Sequence, residues 1–477
     1  MSLKKQAISG LVWTFGQQFG TQLINFVISL LLARVLFPSD FGTIAMFSVV
    51  ISICSTLVDG GMASSLIRSN DADDSDLSTV FWFNVITSTL LYLLVFLIAP
   101  LIAKFYKLDL LTPIIRVYGL LLIIKSLTTV QAIRFTKDLD FKTSFKIQLP
   151  SLIIGGFSGV LFAYYGLGVW ALVYYPLIQG AISTIQYWIY SDWKPSFVFN
   201  KTKFRYHFNF GYKMTLSSLL ETIFNNIYTV IIGKAFSPTQ LGYYSRADNL
   251  KQLPITNLSN ALNKVTFPLF AKLGNDDIKL REVYKKIMKL VIFIIAPVLL
   301  MAIIMAEPLI RFLLTEKWLP AVPYFQILSL AGILYPIHSY NLNILMVKGK
   351  SNLFLKLEII KKILIVCVLL ISIKYGILGI LWGQVFTSCI SFFINSHYSG
   401  KLIKYGSFQQ LADLLPILGL SGLIAVVLYW LDYYYFKNIS DFLRMVIICG
   451  SFTTVYLALV WALKFKEITY LKEILKR

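Results

Sequence analysis

Charge is scarce in this sequence. Of its 477 residues only 14% are charged and 57% are hydrophobic, and the mean hydropathy is +0.72. A soluble domain carries roughly 25% charged residues. Negative charge is the scarcer sign, with 23 Asp and Glu against 44 Lys and Arg. The 4 cysteines (Cys54, Cys367, Cys389 and Cys449) each lie inside an apolar segment, far from one another. That spacing provides neither a disulfide framework nor a zinc site. The 3 histidines, His207, His338 and His397, are also far apart. No hydrophilic stretch is long enough for a separate soluble domain. A net charge of +21 would suit nucleic acid if it formed one basic domain. Here the lysines and arginines punctuate long apolar runs, which argues against a nucleic-acid partner and for a polytopic membrane protein. Lys4 and Lys5 precede the first run, but its middle is too polar and no small-x-small cleavage site follows. It is read as the first spanning helix, kept in the mature protein.

What is present is a duplication. Residues 31–42 read LLARVLFPSDFG and residues 231–242 read IIGKAFSPTQLG. At this offset Arg34 matches Lys234, Pro38 matches Pro238 and Gly42 matches Gly242. A polar stripe precedes each copy: Gln18, Gln22, Asn25 and Ser29 correspond to Ser218, Thr222, Asn225 and Thr229. Such spacings place each stripe on one helix face. A shared stripe and a shared turn at one offset indicate an internal repeat.

A span needs roughly 20 mostly apolar residues. That measure predicts an all-α polytopic protein with helices near 9–36, 41–66, 78–103, 112–134, 144–165 and 168–190. Six more follow near 207–235, 241–270, 284–306, 321–347, 353–375 and 377–400, with a final pair near 411–431 and 442–464. This gives about fourteen transmembrane helices. Lys and Arg concentrate in alternate loops, including Arg134 to Lys146, Lys201 to Arg205 and Lys348 to Lys362. The positive-inside rule then puts both termini in the cytoplasm. An even number of helices separates the two copies, so they enter the membrane in the same sense, as parallel repeats. The expected organisation is two parallel six-helix lobes around a central cavity, 1–200 and 201–404, plus two extra helices and a cytoplasmic tail in 405–477. The first, second, seventh and eighth helices would line the cavity, suited to alternating access. Ser48, Ser52, Ser55 and Asp59 extend the polar face on the second helix, and Asp248, Gln252 and Ser259 do so on the eighth.

Five basic residues fall inside these spans: Lys125, Lys213, Arg246, Lys251 and Lys264. An ionisable group at mid-bilayer costs at least ~2.5–3.5 kcal/mol, so each is a functional candidate by default. Lys213 and Lys264 lie close enough to the cytoplasmic ends to snorkel, and Arg246 and Asp248 close enough to the outer end to be interfacial. Lys125 and Glu221 are deeper, with a structural ion pair as the alternative explanation. The candidate substrate cavity therefore comprises Lys125, Arg246, Lys251, Lys213, Gln18, Gln22, Asn25 and Asn225. A basic cavity suits an anionic cargo such as a diphosphate. Glu221, Asp248 and Asp59 are then the candidates to carry a coupling H+ or Na+; no cofactor is expected.

At this point a family resemblance emerges. The segments ARVLFPSDFGTIA (33–45), IRFTKDLDFK (133–142), GYYSRADNLKQLP (242–254), VTFP (265–268) and WLPAV (318–322) occur in this order. Together they resemble Wzx-type lipid-linked oligosaccharide flippases of the multidrug/oligosaccharidyl-lipid/polysaccharide exporter superfamily. The resemblance implies twelve helices in two lobes plus two more, a bacterial inner membrane, and an undecaprenyl-diphosphate-linked glycan as cargo. It also implies a central, often cationic cavity for the head group while the lipid tail stays in the bilayer. Arg246, within YSRA, is the residue it carries over as a cavity or gate candidate. Membrane lipids are expected partners, with a polysaccharide polymerase or export machinery as a further one.

Other readings stay open. A drug/cation antiporter of the same superfamily would favour an acidic, aromatic-lined cavity, against the basic excess here. A membrane-embedded glycan polymerase or polyprenyl glycosyltransferase would need a catalytic constellation. Asp71/Asp73 and Asp138/Asp140 form D-x-D pairs, but in charged cytoplasmic loops where solvated acids are expected. Without a large extramembrane loop or clustered histidines, no enzymatic chemistry is expected. A passive channel fits a duplicated two-lobe plan less well than rocking does. GxxxG at Gly16/Gly20 and at Gly379/Gly383 is expected to mark close helix packing.

Overall fold

The structure is a computed structural model of the chain. It describes residues 3–69 and 71–468, and side chains from residue 16 onward apart from 258 and 260–265. Lys264 thus lies outside the described side chains. All regular secondary structure among the described residues is helical. The contacts fall into two compact units, Met1–Gly242 and Tyr243–Arg477.

The first unit contains α1 (Leu3–Val35), α2 (Pro38–Asp59), α3 (Met62–Arg68), α4 (Asp74–Tyr106), α5 (Leu111–Tyr118), α6 (Leu120–Ser126), α7 (Thr129–Lys137), α8 (Phe141–Tyr164), α9 (Val169–Tyr190), α10 (Lys201–Asn225) and α11 (Ile227–Ala235). Next, α12 (Pro238–Lys272) starts at the end of that unit and runs into the second. There it is followed by α13 (Asp277–Ile304), α14 (Ala306–Leu314), α15 (Val322–Gly332), α16 (Tyr335–Val347), α17 (Ser351–Ser372), α18 (Gly376–Ile403), α19 (Ser407–Leu431) and α20 (Asp441–Ala462).

Helix covers every stretch that hydropathy marks as a span. Among the described residues, 9 segments are long and apolar enough to cross a membrane, or 10 when the segment bent by 40° within Leu111–Lys137 is included. One of them, Ser351–Ile403, is the antiparallel pair α17 and α18. The chain is a multi-pass membrane protein. The helices α9, α10 and α12 fall outside that set; α10 and α12 carry polar residues through their length, and α9 carries Gln179, Ser183, Thr184 and Gln186 from its middle onward. On α12, Ser245, Arg246, Asp248, Asn249, Lys251 and Gln252 occur within about two turns.

The repeat survives in the boundaries of the helices. One copy ends a helix at Val35 and starts the next at Pro38; the other does so at Ala235 and Pro238. Proline suits the first helical position because its missing N–H would be unpaired there anyway. Each start is capped from the third helical residue. Asp40 Oδ2 accepts the Phe37 N–H at 2.9 Å, and Gln240 Oε1 accepts the Ser237 N–H at 3.3 Å. The copies differ upstream. The first is one continuous helix, α1, whereas the second breaks between α10 and α11 at Asn226, whose Nδ2 donates to the Thr222 carbonyl at 2.8 Å. The counterpart of Asn226 is Phe26, which has no polar group to compete for the helix backbone.

In a bilayer the lipid is as apolar as the side chains, so helices associate largely by close packing. The described glycines show where this happens. On α8, a Cβ at Gly156 would stand 2.0 Å from Ile28 Cδ1 of α1, and one at Gly159 would stand 2.8 Å from Tyr175 Cβ of α9. Gly379 and Gly383 of α18 lie close against Ser372 at the end of α17, as their GxxxG spacing predicts. Gly16 does not follow its GxxxG expectation: it has no neighbour within 4 Å, and Gly20 meets only the ring of Phe145. Nothing on α8 comes within packing distance of Gly16 to use the missing side chain.

The last two helices belong to the core of the second unit. Leu414, Ile417 and Ile424 of α19 and Phe452 and Tyr456 of α20 pack with Leu299 and Ile295 of α13. At one end Arg444 binds Asp432 through two bonds of 2.6 Å and reaches Glu307 at 3.3 Å, while Arg311 holds Asp441 at 3.1 Å. Bidentate pairing and burial make this a geometrically specific anchor.

Candidate functional site

The candidate residues fall into a set in each unit, with different surroundings. In the first unit they are open. Gln18, Asn25, Lys125, Lys213, Glu221 and Asn225 are exposed, and Gln22 and Asp59 are half-buried. Asn25 Oδ1 accepts the Tyr175 hydroxyl at 2.9 Å, tying α1 to α9. Lys213 Nζ lies 5.8 Å from the centre of the Tyr212 ring. Lys125 stands where α6 gives way to α7, and its carbonyl accepts the hydroxyls of Thr128 and Thr129 at 3.0 Å. The Asp59 carboxylate lies beside the backbone N–H groups of Gly61 and Ala63, just ahead of α3. The polar faces of α2 and α10 meet directly, with the hydroxyls of Thr56 and Thr222 3.3 Å apart.

In the second unit the candidates are enclosed. Arg246 and Lys251 are buried and Asp248 is half-buried. Lys251 Nζ lies 2.5 Å from Asp248 Oδ1, one turn back along α12. The Arg246 guanidinium lies 5.9 Å from the ring centre of Trp318, in the WLPAV segment, close enough for a cation–π contact. Gln384 Nε2 reaches the Tyr244 hydroxyl at 3.4 Å, placing α18 beside the same stretch. Burying cations requires such compensation, because the cost of stripping them of water must be offset locally.

Two groups escaped sequence reasoning. On α17, Glu358 is 2.5 Å from Lys361 and 4.0 Å from Lys362. Their lysine pair reads as a flank of the preceding basic loop, yet Lys361 lies about 15 Å along α17 from Ser351 at 1.5 Å per residue. An acid three and four residues before two lysines was the available signal. The other group surrounds His207, which is fully buried. Its Nε2 lies 3.1 Å from Asp76 Oδ1 and its Nδ1 lies 2.7 Å from Ser65 Oγ. Lys203, one turn earlier on α10, reaches Asp76 at 2.9 Å and Asp73 at 2.5 Å. Asp73 is thus more than a solvated acid in a D-x-D pair. It caps α4 by accepting the Ser75 and Asp76 N–H groups. Its hydrogen bond from Lys203 holds its carboxyl well below the usual range, and the same bond raises the Lys203 ammonium.

Close backbone packing flanks this cluster. Gly60 and Gly61 both have left-handed backbones (φ +54° and +66°), which break the path from α2 to α3. A Cβ on Gly61 would lie 2.4 Å from the Gly211 carbonyl oxygen, and one on Gly211 would lie 2.2 Å from that of Gly60. At the other end of α2 the duplicated turns pack against each other. A Cβ on Gly42 would meet the Pro238 carbonyl oxygen at 1.7 Å, and one on Gly242 would meet that of Pro38 at 1.9 Å. The repeat therefore makes a near-symmetric contact with itself.

The fold is that of known transporters. Lipid II flippase MurJ in an inward closed conformation matches with TM-score 0.73 at 16% identity, over 97% of this chain and 100% of that one. A multidrug resistance MATE family transporter of the MOP superfamily, inward-facing, matches with TM-score 0.63 at 16% identity, over 80% and 96% of the two chains. In sequence, the teichuronic acid biosynthesis protein TuaB of Bacillus subtilis (strain 168) is 28% identical over 89% of each chain. The lipopolysaccharide biosynthesis protein WzxC of Escherichia coli (strain K12) is 25% identical over 91% of this chain and 86% of its own. Residues 31–323, more than half the chain, match the model of one family, and they include both copies of the proline turn, the α12 cations and Trp318. The chain belongs to the polysaccharide biosynthesis protein family.

Proposed function

We propose that this protein is a flippase for an undecaprenyl-diphosphate-linked oligosaccharide, the repeat unit of an O-antigen, capsule or exopolysaccharide. It would carry that lipid from the cytoplasmic to the periplasmic leaflet by alternating access, coupled to H+ or Na+. The two lobes, 1–200 and 201–404, follow the duplication, and 405–477 adds two helices and the tail. The observation that carries the proposal is a set of cations along helices of a polytopic membrane protein: Arg246 and Lys251 are buried on α12, and Lys125 stands at the α6–α7 break. Such groups are expensive at membrane depth and persist there for a functional reason or a paired structural one. Names among the relatives agree with a polysaccharide route, including the succinoglycan biosynthesis transport protein ExoT of Rhizobium meliloti (strain 1021), 23% identical over 69% of this chain. Lys and Arg favour the loops on the side of the N-terminus, which supports cytoplasmic termini in a bacterial inner membrane.

The test is flipping of a lipid-diphosphate glycan in proteoliposomes, with wild type, Lys125→Ala and Arg246→Ala compared after each is shown to insert and melt normally. Wild type is expected to flip the lipid, and at least one substitution to abolish it. Export of organic cations without glycolipid movement would replace this proposal with a drug-antiporter function.

A further inference from the structure

In the second unit a cavity of about 800 Å³ opens where α18 ends and α19 begins. Its wall includes His397 and Lys401, four residues apart on one face of α18, and Lys404, which follows the last turn of that helix with a left-handed backbone (φ +51°). The three are exposed. Among the described residues, none of their side chains has a hydrogen bond or an ion pair. No acid occurs in sequence between Glu358 and Asp413. Asp413 itself is occupied by Lys285 and the Tyr405 hydroxyl, each at 2.7 Å. Among the described residues, no side chain neutralises the positive charge at this corner.

Beside the cations stand two uncovered aromatic rings. Phe408, in the first turn of α19, is 80% exposed, and Phe393 is 39% exposed with its ring centre 6.2 Å from that of Phe408. Phe408 would gain nothing from water. Unpaired ammonium groups next to bare rings fit the boundary between lipid headgroups and acyl chains, where long basic side chains reach outward and aromatic rings settle inward. We infer that this cavity binds the phosphate-bearing headgroup of a membrane lipid. Lys401 and Lys404 would meet the phosphate oxygens, with His397 as a third donor and Phe393 and Phe408 against the first acyl carbons. The inference does not depend on transport, and a chain that moved no glycolipid would still hold the lipid.

The test uses the full chain purified in detergent and native mass spectrometry, with phosphatidylglycerol and phosphatidylcholine as probes. Wild type is expected to retain phosphatidylglycerol over phosphatidylcholine. Lys401→Gln/Lys404→Gln should lower that retention roughly 10–30-fold, from about 1 kcal/mol per lysine at a lipid surface. Lys401→Arg/Lys404→Arg should keep it. Because the lysines are exposed and unpaired, the glutamine variant should melt like wild type. Equal retention of the two lipids by wild type, or undiminished phosphatidylglycerol on the glutamine variant, overturns the inference. Competition with undecaprenyl diphosphate identifies the source of the phosphate, and both of its outcomes uphold a phosphate-headgroup site. Displacement at equal concentration assigns the cavity to a diphosphate lipid; persistence of phosphatidylglycerol assigns it to the leaflet's own phospholipid.

Discussion

The two ends of α2 are held by different physics. At its start, Gly42 and Gly242 bring two proline turns together backbone to backbone. At its end, Gly60 and Gly61 meet Gly211 in a similar close approach, but a charged cluster of Asp73, Asp76, Lys203 and His207 stands beside it. The proline-turn end is dominated by shape, with the Asp40 carboxylate capping the helix start through the Phe37 N–H. The other end adds a cluster of two carboxylates, an ammonium and a buried histidine to its glycine contact, so it responds more strongly to salt and pH. For a protein proposed to open alternately on two sides of a membrane, that asymmetry gives one contact a larger chemical handle than the other.

The largest effect is expected at the proline-turn end. Gly42→Val or Gly242→Val puts a branched side chain where even a Cβ would overlap a backbone carbonyl, and a carbonyl cannot rotate aside as a side chain can. Overpacking of this kind costs about 1–3 kcal/mol and sometimes more. Both variants should unfold at clearly lower temperature in detergent, with flipping lost. Gly42→Ala with an unchanged melting temperature would show that the two turns do not pack so closely in the working protein.

At the other end Gly211→Ala should be nearly as harmful, because its Cβ also meets a carbonyl, that of Gly60. The cluster beside it gives the next smaller effect. Asp76→Ala leaves the buried His207 with one polar contact instead of two and strands Lys203 on Asp73. Removing one partner of a buried hydrogen bond costs about 1–3 kcal/mol. Lys203→Gln removes the ammonium from both Asp73 and Asp76 and should lower the melting temperature less than Asp76→Ala, because water already screens Lys203 and Asp73. Thermal melts over a salt series sharpen the contrast. Raising ionic strength should narrow the gap between wild type and Lys203→Gln, since salt screens the exposed pair. It should leave the deficit of Gly42→Val unchanged.

How much of this was legible in the sequence depends on how far apart the partners lie. The proline turns could be read because both copies carry the same residues at one offset, and the helices start and stop where the repeat predicts. That Gly42 and Gly242 touch each other could not be read, since a duplication shows likeness and not proximity. The polar stripe on α1 and α10 was evident from its spacing. The cluster at His207 was not, because its members come from α3, α4 and α10 and only the fold joins Ser65, Asp76 and His207. Viewed along the chain, a lone histidine and a solvated D-x-D pair gave no reason to connect them. Lys361 and Lys362 illustrate another limit. Hydropathy assigns lysines near the start of a helix to the loop, although the helix runs well before them and Glu358 stays beside them. Pairing of Asp248 with Lys251 follows from i, i+3 spacing and was available to sequence reasoning.

The smallest effect separates the two ends by pH alone. The Lys203 bond lowers the Asp73 carboxyl below its ordinary value, so in the folded state Asp73 stays ionised to lower pH than in the unfolded chain. A depressed carboxyl stabilises the fold fully above its unfolded value of about 3.9 and loses that contribution as pH falls through the folded value. Lys203 is shifted upward by the same bond, and its contribution is complete below its unfolded value of about 10.4 and is lost as pH rises through the folded one. The pair is therefore intact across the neutral range and fails only in acid or strong base. Asp73→Asn removes the acid limb. Wild type and Asp73→Asn should differ slightly in melting temperature at neutral pH, and the difference should shrink as the solution is acidified below the unfolded carboxyl value. Gly42→Val, which carries no titrating group, should keep the same deficit over that interval. A deficit for Asp73→Asn that persists unchanged into acid would assign Asp73 to capping α4 through its Ser75 and Asp76 bonds and would remove charge from the comparison.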